Sequence, residues 1–366
     1  MMNINDYLIW RGDTPICKDY PFNDVDSLIL ARFSYLPFDK ITLGNETIES
    51  ISLKMEDLDV YDFKIADDKL LIHNLGSSKR FKKCKVTDFV FNRVKSLDKQ
   101  FGAVTIHFDD FIYISYIGTD NSLVGWKEDF NMSFLEHVPA QIEGVKYLNS
   151  IAIKNWKKII IGGHSKGGNV AVYSALNSNF KSRIIRAINY DGPGFEKKVF
   201  DSIKAKSILS KIITYIPQGS VIGRVLEHEE EYKVVHSNNK GLYQHDVYSW
   251  DVLPYSLVLL DKVSNSSEFV NMSIRNWLKN TDSKNREVFV DCIFELLYSS
   301  DIDTFRELSK VWISKIPKML STYKSLSKEE KSVIGDMIKE FLKGFSLAMK
   351  EFSKEKIEEL EKNLFD

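Results

Sequence analysis

At 366 residues, with 43% hydrophobic and 12% aromatic side chains, the chain can bury a full core in one large domain or in a domain with an appendage. Its charged residues, 28% of the total, sum to −1, which leaves no electrostatic footprint for nucleic acid. Cys17, Cys84 and Cys292 lie far apart with no CxxC pair, which argues against a disulfide scaffold or a zinc site and fits a reducing compartment.

The N-terminus, MMNINDYLIWRGDTP, lacks a basic stretch followed by an apolar run, so no signal peptide is expected. No stretch approaches the roughly 20 apolar residues of a membrane span. The expectation is a soluble, cytoplasmic protein, and abundant Lys, Asn and Ile with few Pro lean toward an AT-rich bacterial genome. NDVDSLILARFSYLPFD predicts a helix capped by Asn23 or Asp24 that carries Leu28, Leu30 and Phe33. Residues 51–80 read as short helices and loops. CKVTDFVFNRV alternates and reads as a strand, and AVTIHF and FIYISYI flank Asp109-Asp110 as a hairpin. GTDNSLVGW reads as a loop, and residues 133–152 as a helix. KKIIIG is a short buried strand, with a helix after it to about Asn179. RIIRAINY, SKIITYI and EYKVVHS are three further strands. From about Ser256 onward the pattern is helical, with Ser325 and Ser327 as capping serines and an amphipathic, highly charged final helix. Strands alternating with helices imply an α/β fold whose mostly parallel central sheet is flanked by helices. The expected division is 1–255, with 1–80 as an irregular helical lead-in, and a helical C-terminal layer or appendage over 256–366.

One motif sits where chemistry would be expected. Gly163-His164-Ser165-Lys166-Gly167 fits G-x-S-x-G, between a strand and a helix pattern. A serine in such a turn needs glycines on both sides, because side chains there would strike the neighbouring strand and helix. The following helix aims its free N–H groups at the site, with Lys166 N–H as one oxyanion donor. The alternative is a plain glycine turn. A nucleophilic serine also needs an acid and then a histidine further along the chain. Asp191 lies at the tip of the next strand, in an Asp-Gly-Pro-Gly turn it could equally serve by accepting backbone N–H groups. Asp246 is too near the candidate histidine to curl back, and Glu227–Glu231 read as a solvated charge run. Of seven histidines, His73, His107 and His137 precede the serine, and His164 lies inside the turn, where it packs or bonds beneath it. His228 sits in an acidic run and reads as exposed, and His236 ends a strand. His245, in the loop GLYQHDVYSW, is the best base. Gly118-Thr119 after FIYISYI offers the backbone N–H of Thr119, with help from its hydroxyl, as the second oxyanion donor, or else is a simple turn.

Three segments together resemble class 3 (fungal-type) lipases. YIGTDNSLVGWKEDF resembles their R-G-T…W…D segment, IIIGGHSKGGNVAVYSA their G-H-S-L-G-G-A segment, and YQHDVYSW their terminal Y-x-H…W segment. They come in the family's order over roughly residues 100–250. GHSKGGN with NYDGPGF and VDSLILARFSYLPFD looks closest to a largely uncharacterised bacterial branch of lipase-like α/β-hydrolases. The resemblance implies an α/β-hydrolase fold, with Ser165 at the nucleophile position, His245 at the base and Thr119 in the oxyanion loop. Two departures stand out. The family's arginine before Gly-Thr is Ile117 here, and the segment that usually supplies the acid, D-x-V-P, corresponds to IPQGSVIG, with Ser220 and no carboxylate. Asp191 instead resembles the acid of pancreatic-type lipases.

The expected function is serine hydrolysis of carboxylic esters, lipid or acyl esters among them, with no metal or organic cofactor. The contrasting reading is a weakly active or inactive hydrolase-like scaffold whose C-terminal helices recruit a partner. Expected partners are a small-molecule or lipid ester, with no nucleic acid and no transmembrane segment. Peripheral membrane contact and oligomeric state stay open.

Overall fold

A computed structural model describes residues 2–200 and 206–365, with the backbone alone described at 305, 306, 309 and 351–365. The chain forms two compact units. The first comprises Met1–Arg93, Gln100–Gly118 and Pro139–Val263, and the second Val94–Lys99, Thr119–Val138 and Ser264–Asp366.

The described strands form one sheet ordered as they occur in the chain: β1 (Glu46–Thr47), β2 (Lys85–Val94), β3 (Lys99–His107), β4 (Phe111–Tyr116), β5 (Lys158–His164), β6 (Ile184–Tyr190), β7 (Ile212–Pro217), β8 (Glu231–Val235) and β9 (Leu259–Leu260). β4 to β8 run parallel, and the β1–β2, β3–β4 and β8–β9 pairs are antiparallel. The hairpin expected around Asp109-Asp110 is present, pairing His107 with Ile112.

A parallel strand covered on both faces needs apolar side chains at every position, because successive residues point to opposite faces. Strand β5 meets that need. Ile159 and Ile161 enter one core with Ala171, Val172 and Ala175 of α7 (Lys166–Asn177) and Leu148 and Ile151 of α6 (Pro139–Lys154). Ile160, between them, enters the opposite core with Leu28 and Ile29 of α2 (Asp24–Phe33) and Leu71 and Leu75 of α4 (Asp67–Ser77). This two-sided arrangement, with a strand–turn–helix at its centre, is the α/β-hydrolase fold. Helix α2 is capped as expected by Asn23, whose side chain accepts the N–H groups of Val25 and Asp26 while Asp26 returns a bond to the Asn23 N–H.

In the second unit, α5 (Leu123–Asn131) stands where a loop was expected. Ser122 caps it by accepting the Gly125 N–H at 3.1 Å. The helix expected from residue 133 begins only at Pro139, in keeping with proline's fitness for a first helical position. Among the C-terminal helices, Asn265–Asn280, Ser283–Tyr298, Phe305–Ser325 and Lys328–Phe365, the side chains of Val290, Phe294 and Leu297 pack on Leu123. Ser327 caps the last helix with Glu330, whereas Ser325 ends the helix before it. The two-residue β9 lies where only helix was expected. No described helix is long and apolar enough to cross a membrane.

The lead-in of the first unit is tied down by buried ion pairs. Arg80 clamps Asp26 with both side chains fully buried, and Asp26 also accepts the Tyr7 hydroxyl at 3.0 Å. Arg32 holds Asp68 through two bonds of 2.6 Å. Removing one partner strands the other charge in the core. Asp26→Ala is therefore expected to cost about 3–5 kcal/mol in urea unfolding, whereas neutralising the exposed pair Lys79–Asp13 should cost under about 1 kcal/mol.

Candidate active site

Strand β5 ends at His164, α7 begins at Lys166, and Ser165 alone makes the turn, at φ 59° and ψ −134°. A side chain at positive φ is strained and persists only where its surroundings impose it. Here the glycines show what imposes it. A Cβ on Gly163 would lie 2.3 Å from the backbone carbon of Gly167, one on Gly167 2.2 Å from the Tyr116 carbonyl oxygen of β4, and one on Gly168 2.0 Å from Asn189 Oδ1 of β6. The first turn of α7 is thus pressed against three strand ends, and only residues without side chains allow it. The Ser165 N–H donates to the Tyr190 carbonyl at 2.9 Å, and the Ser165 carbonyl accepts Gly168 N–H at 2.9 Å. A plain glycine turn would not need a strained serine at its apex.

Asp191 follows β6 directly, at φ 51°, and is 1% exposed. Its Oδ2 accepts from His245 Nδ1 at 2.6 Å, and its Oδ1 accepts the Ser220 hydroxyl and the Gly223 N–H at 3.2 Å. With the carboxylate accepting, Nδ1 carries the proton and Nε2 is left as the basic nitrogen. The stretch IPQGSVIG, which holds no acid, therefore supplies donors to an acid housed one strand earlier. The Asp191 turn also lies against the serine, since a Cβ on Gly192 would sit 2.2 Å from the Ser165 carbonyl oxygen.

His245 closes a helical turn, Gly241–His245, and its side chain is 24% exposed. Two neighbours fix this turn in ways the sequence did not signal. Gln244 accepts the Gly219 N–H at 2.7 Å through its side chain and the buried Trp250 indole N–H at 2.8 Å through its carbonyl. His164 Nε2 lies 2.8 Å from the His245 carbonyl oxygen, with the two rings 4.4 Å apart. A carbonyl only accepts, so His164 Nε2 is the protonated nitrogen. Burial first, then the neighbouring His245 and Arg32, hold the His164 pKa well below the usual histidine value, so the ring is neutral. Beneath the turn, Tyr35 donates its hydroxyl to the His164 carbonyl at 3.0 Å. His164 was expected to pack or bond beneath the turn, and it bonds to the loop that carries His245.

The structure does not join Ser165 to His245 directly: the Ser165 hydroxyl makes no hydrogen bond among the described residues. Lys166 opens α7 as expected, with its side chain buried. Thr119 follows Gly118 in the chain and belongs to the second unit, where its hydroxyl donates to Asp129 Oδ2 at 2.5 Å. The hydroxyl is thus engaged by Asp129 and is not the expected help to an oxyanion. His236 pairs with Asp251 at 2.6 Å, and Asp246 caps the next turn by accepting Tyr248 N–H. The expectation of a solvated acidic run fails at Glu230, which is buried, accepts the Thr214 hydroxyl at 2.5 Å and pairs with His228 at 2.7 Å. His228 is correspondingly not exposed. The run hid this because its inward residue is flanked by acids that do face water. No group of His, Cys, Asp and Glu among the described residues has a metal-binding arrangement.

The Mbeg1-like family matches residues 75–295 of the chain. No curated protein matches the sequence. Among solved structures, Rhizomucor miehei lipase in its propeptide complex is similar at 11% identity and a TM-score of 0.39, covering 74% of this chain and 88% of that one. A lipase from Rhizopus microsporus var. chinensis is similar at 12% identity and a TM-score of 0.37, covering 70% and 87%. A lipase from Yarrowia lipolytica is similar at 13% and 0.34, covering 67% and 87%.

Two outcomes follow from this geometry. Gly167→Ala should lower stability by about 1–3 kcal/mol by overpacking against the Tyr116 carbonyl, read as a shifted urea midpoint. A histidine held neutral by the fold charges more readily in the unfolded chain, so its contribution is complete above the ordinary histidine pKa and is lost as pH falls from there toward the depressed folded value. Wild type should therefore lose roughly 1 kcal/mol more than His164→Gln for each pH unit below about 6.5, measured by urea unfolding across that range.

Proposed function

The chain belongs to the Mbeg1-like family, and on that premise we propose that it is a serine hydrolase that cleaves carboxylic esters, with lipid or acyl esters as its substrate class. The observation that carries this reading is the strained Ser165, at the apex of a turn packed against the buried Asp191 that holds the His245 imidazole. Strain at one non-glycine residue in a glycine-rich turn has a use if it presents a hydroxyl.

In the proposed reaction, His245 Nε2 comes within hydrogen-bond reach of Ser165 and takes its proton as Oγ attacks the ester carbonyl carbon. Asp191 holds Nδ1–H and steadies the imidazolium that forms. The backbone N–H of Lys166 stabilises the oxyanion. His245 then protonates the departing alcohol, and water, deprotonated by the same nitrogen, releases the acid from the acyl-enzyme. Ser220 acts on the acid, limiting its rotation and satisfying its second oxygen. The three cysteines carry no disulfide and fit the cytoplasmic setting proposed for the protein.

A fluorophosphonate probe tests the reading. Wild type should label, Ser165→Ala should not, and Asp191→Asn should label roughly 10³- to 10⁴-fold more slowly. A folded wild-type protein that does not label, or that labels equally after Ser165→Ala, would sink the proposal.

A further inference from the structure

The helix Phe305–Ser325, FRELSKVWISKIPKMLSTYKS, lies outside the proposed chemistry. At 100° per residue its apolar positions, Val311 apart, form two adjacent stripes. Leu308 and Met319 pack into the small core around Val290, Phe294 and Leu297. Trp312, Ile313, Ile316, Leu320 and Tyr323 fall on the next sector, and most of that sector is bare: Trp312 is 53% exposed, Ile313 69% and Leu320 52%. Scattered exposed apolar residues are ordinary, but a continuous stripe on one helix calls for a covering surface.

The charges around this stripe say what covers it. The helix carries Arg306, Lys310, Lys315, Lys318 and Lys324 against Glu307 alone, a net of +4 in a chain whose total is −1. Lys310 and Lys324 fall on the open flank of the stripe, whereas Lys315 and Lys318 lie beyond the packed Leu308 and Met319. Lys318 pairs with Asp301. The final helix also exposes Ile338, Leu342 and Met349, but its lysines are balanced by acids. An apolar strip with an indole at one edge and lysines along the other, on a helix of net charge +4, fits a bilayer interface: the strip enters the acyl boundary while the lysine stems reach back to headgroup phosphates. We infer that Phe305–Ser325 docks the second unit on an anionic lipid surface.

The test is sedimentation of the full chain with phosphatidylcholine vesicles, with and without phosphatidylserine, at low and at raised salt. Wild type should bind the anionic vesicles roughly tenfold or more tightly than the neutral ones, and salt should erase the difference. The triple variant Trp312→Ala, Ile313→Ala, Leu320→Ala should lose binding to both vesicles. Lys310→Gln, Lys324→Gln should lose the anionic preference, with unchanged thermal unfolding showing that the fold is intact. The salt response of the wild type judges the idea without any variant. Absence of binding to anionic vesicles, binding indifferent to salt, or binding retained in the apolar variant would overturn it. So would a wild-type dimer that the apolar variant converts to monomer while vesicles stay unbound, which would make the stripe a self-association surface.

Discussion

The centre of the first unit is governed by one steric constraint, the contact of the α7 N-terminus with the ends of β4, β5 and β6. Approaches too close for any Cβ at Gly163, Gly167 and Gly168 fix where the helix begins. The cost is about 1–3 kcal/mol of strain at Ser165. The bonds from Ser165 N–H to Tyr190 and from Gly168 N–H to the Ser165 carbonyl offset it at about 1 kcal/mol each. Two isoleucine-lined cores, one on each face of β5, make that geometry rigid.

Asp191 depends on the same contact. A buried carboxylate is costly unless its oxygens are satisfied, and here three donors converge on it from two segments: His245 from one, and the Ser220 hydroxyl and the Gly223 N–H from the other. Ser220 and Gly223 lie beyond β7. Adjacent parallel strands end side by side, so an acid at the tip of β6 and donors beyond β7 meet at one place.

The histidine loop is held from beneath. His164 reaches past the turn to the His245 carbonyl, and Gln244 and Trp250 bind the loop on its other sides. The residue before the serine and the residue that pairs with Asp191 are thereby parts of one hydrogen-bonded assembly. The second unit follows a different logic, with amphipathic helices around small cores and an apolar stripe left bare on one of them.

How much of this was legible follows from the range of each interaction. Local pattern determined the strands from β2 to β8, the glycine-bracketed serine and the helix after it, because alternation, turn chemistry and capping act within a few residues. It also identified Asp191 and His245 as the pair that the structure joins. Short or flanking elements escaped it: β9 is too brief to show a period, α5 begins at a serine cap inside a glycine-containing stretch, and Glu230 is buried amid acids that are not. Tertiary structure alone decided that Ser220 serves Asp191, that His164 and Gln244 fix the His245 loop, and that the Thr119 hydroxyl is taken by Asp129. Each joins residues far enough apart, or on elements oriented freely enough in sequence, that no periodicity encodes them. A donor finds its acceptor only after the sheet has brought the strand ends together.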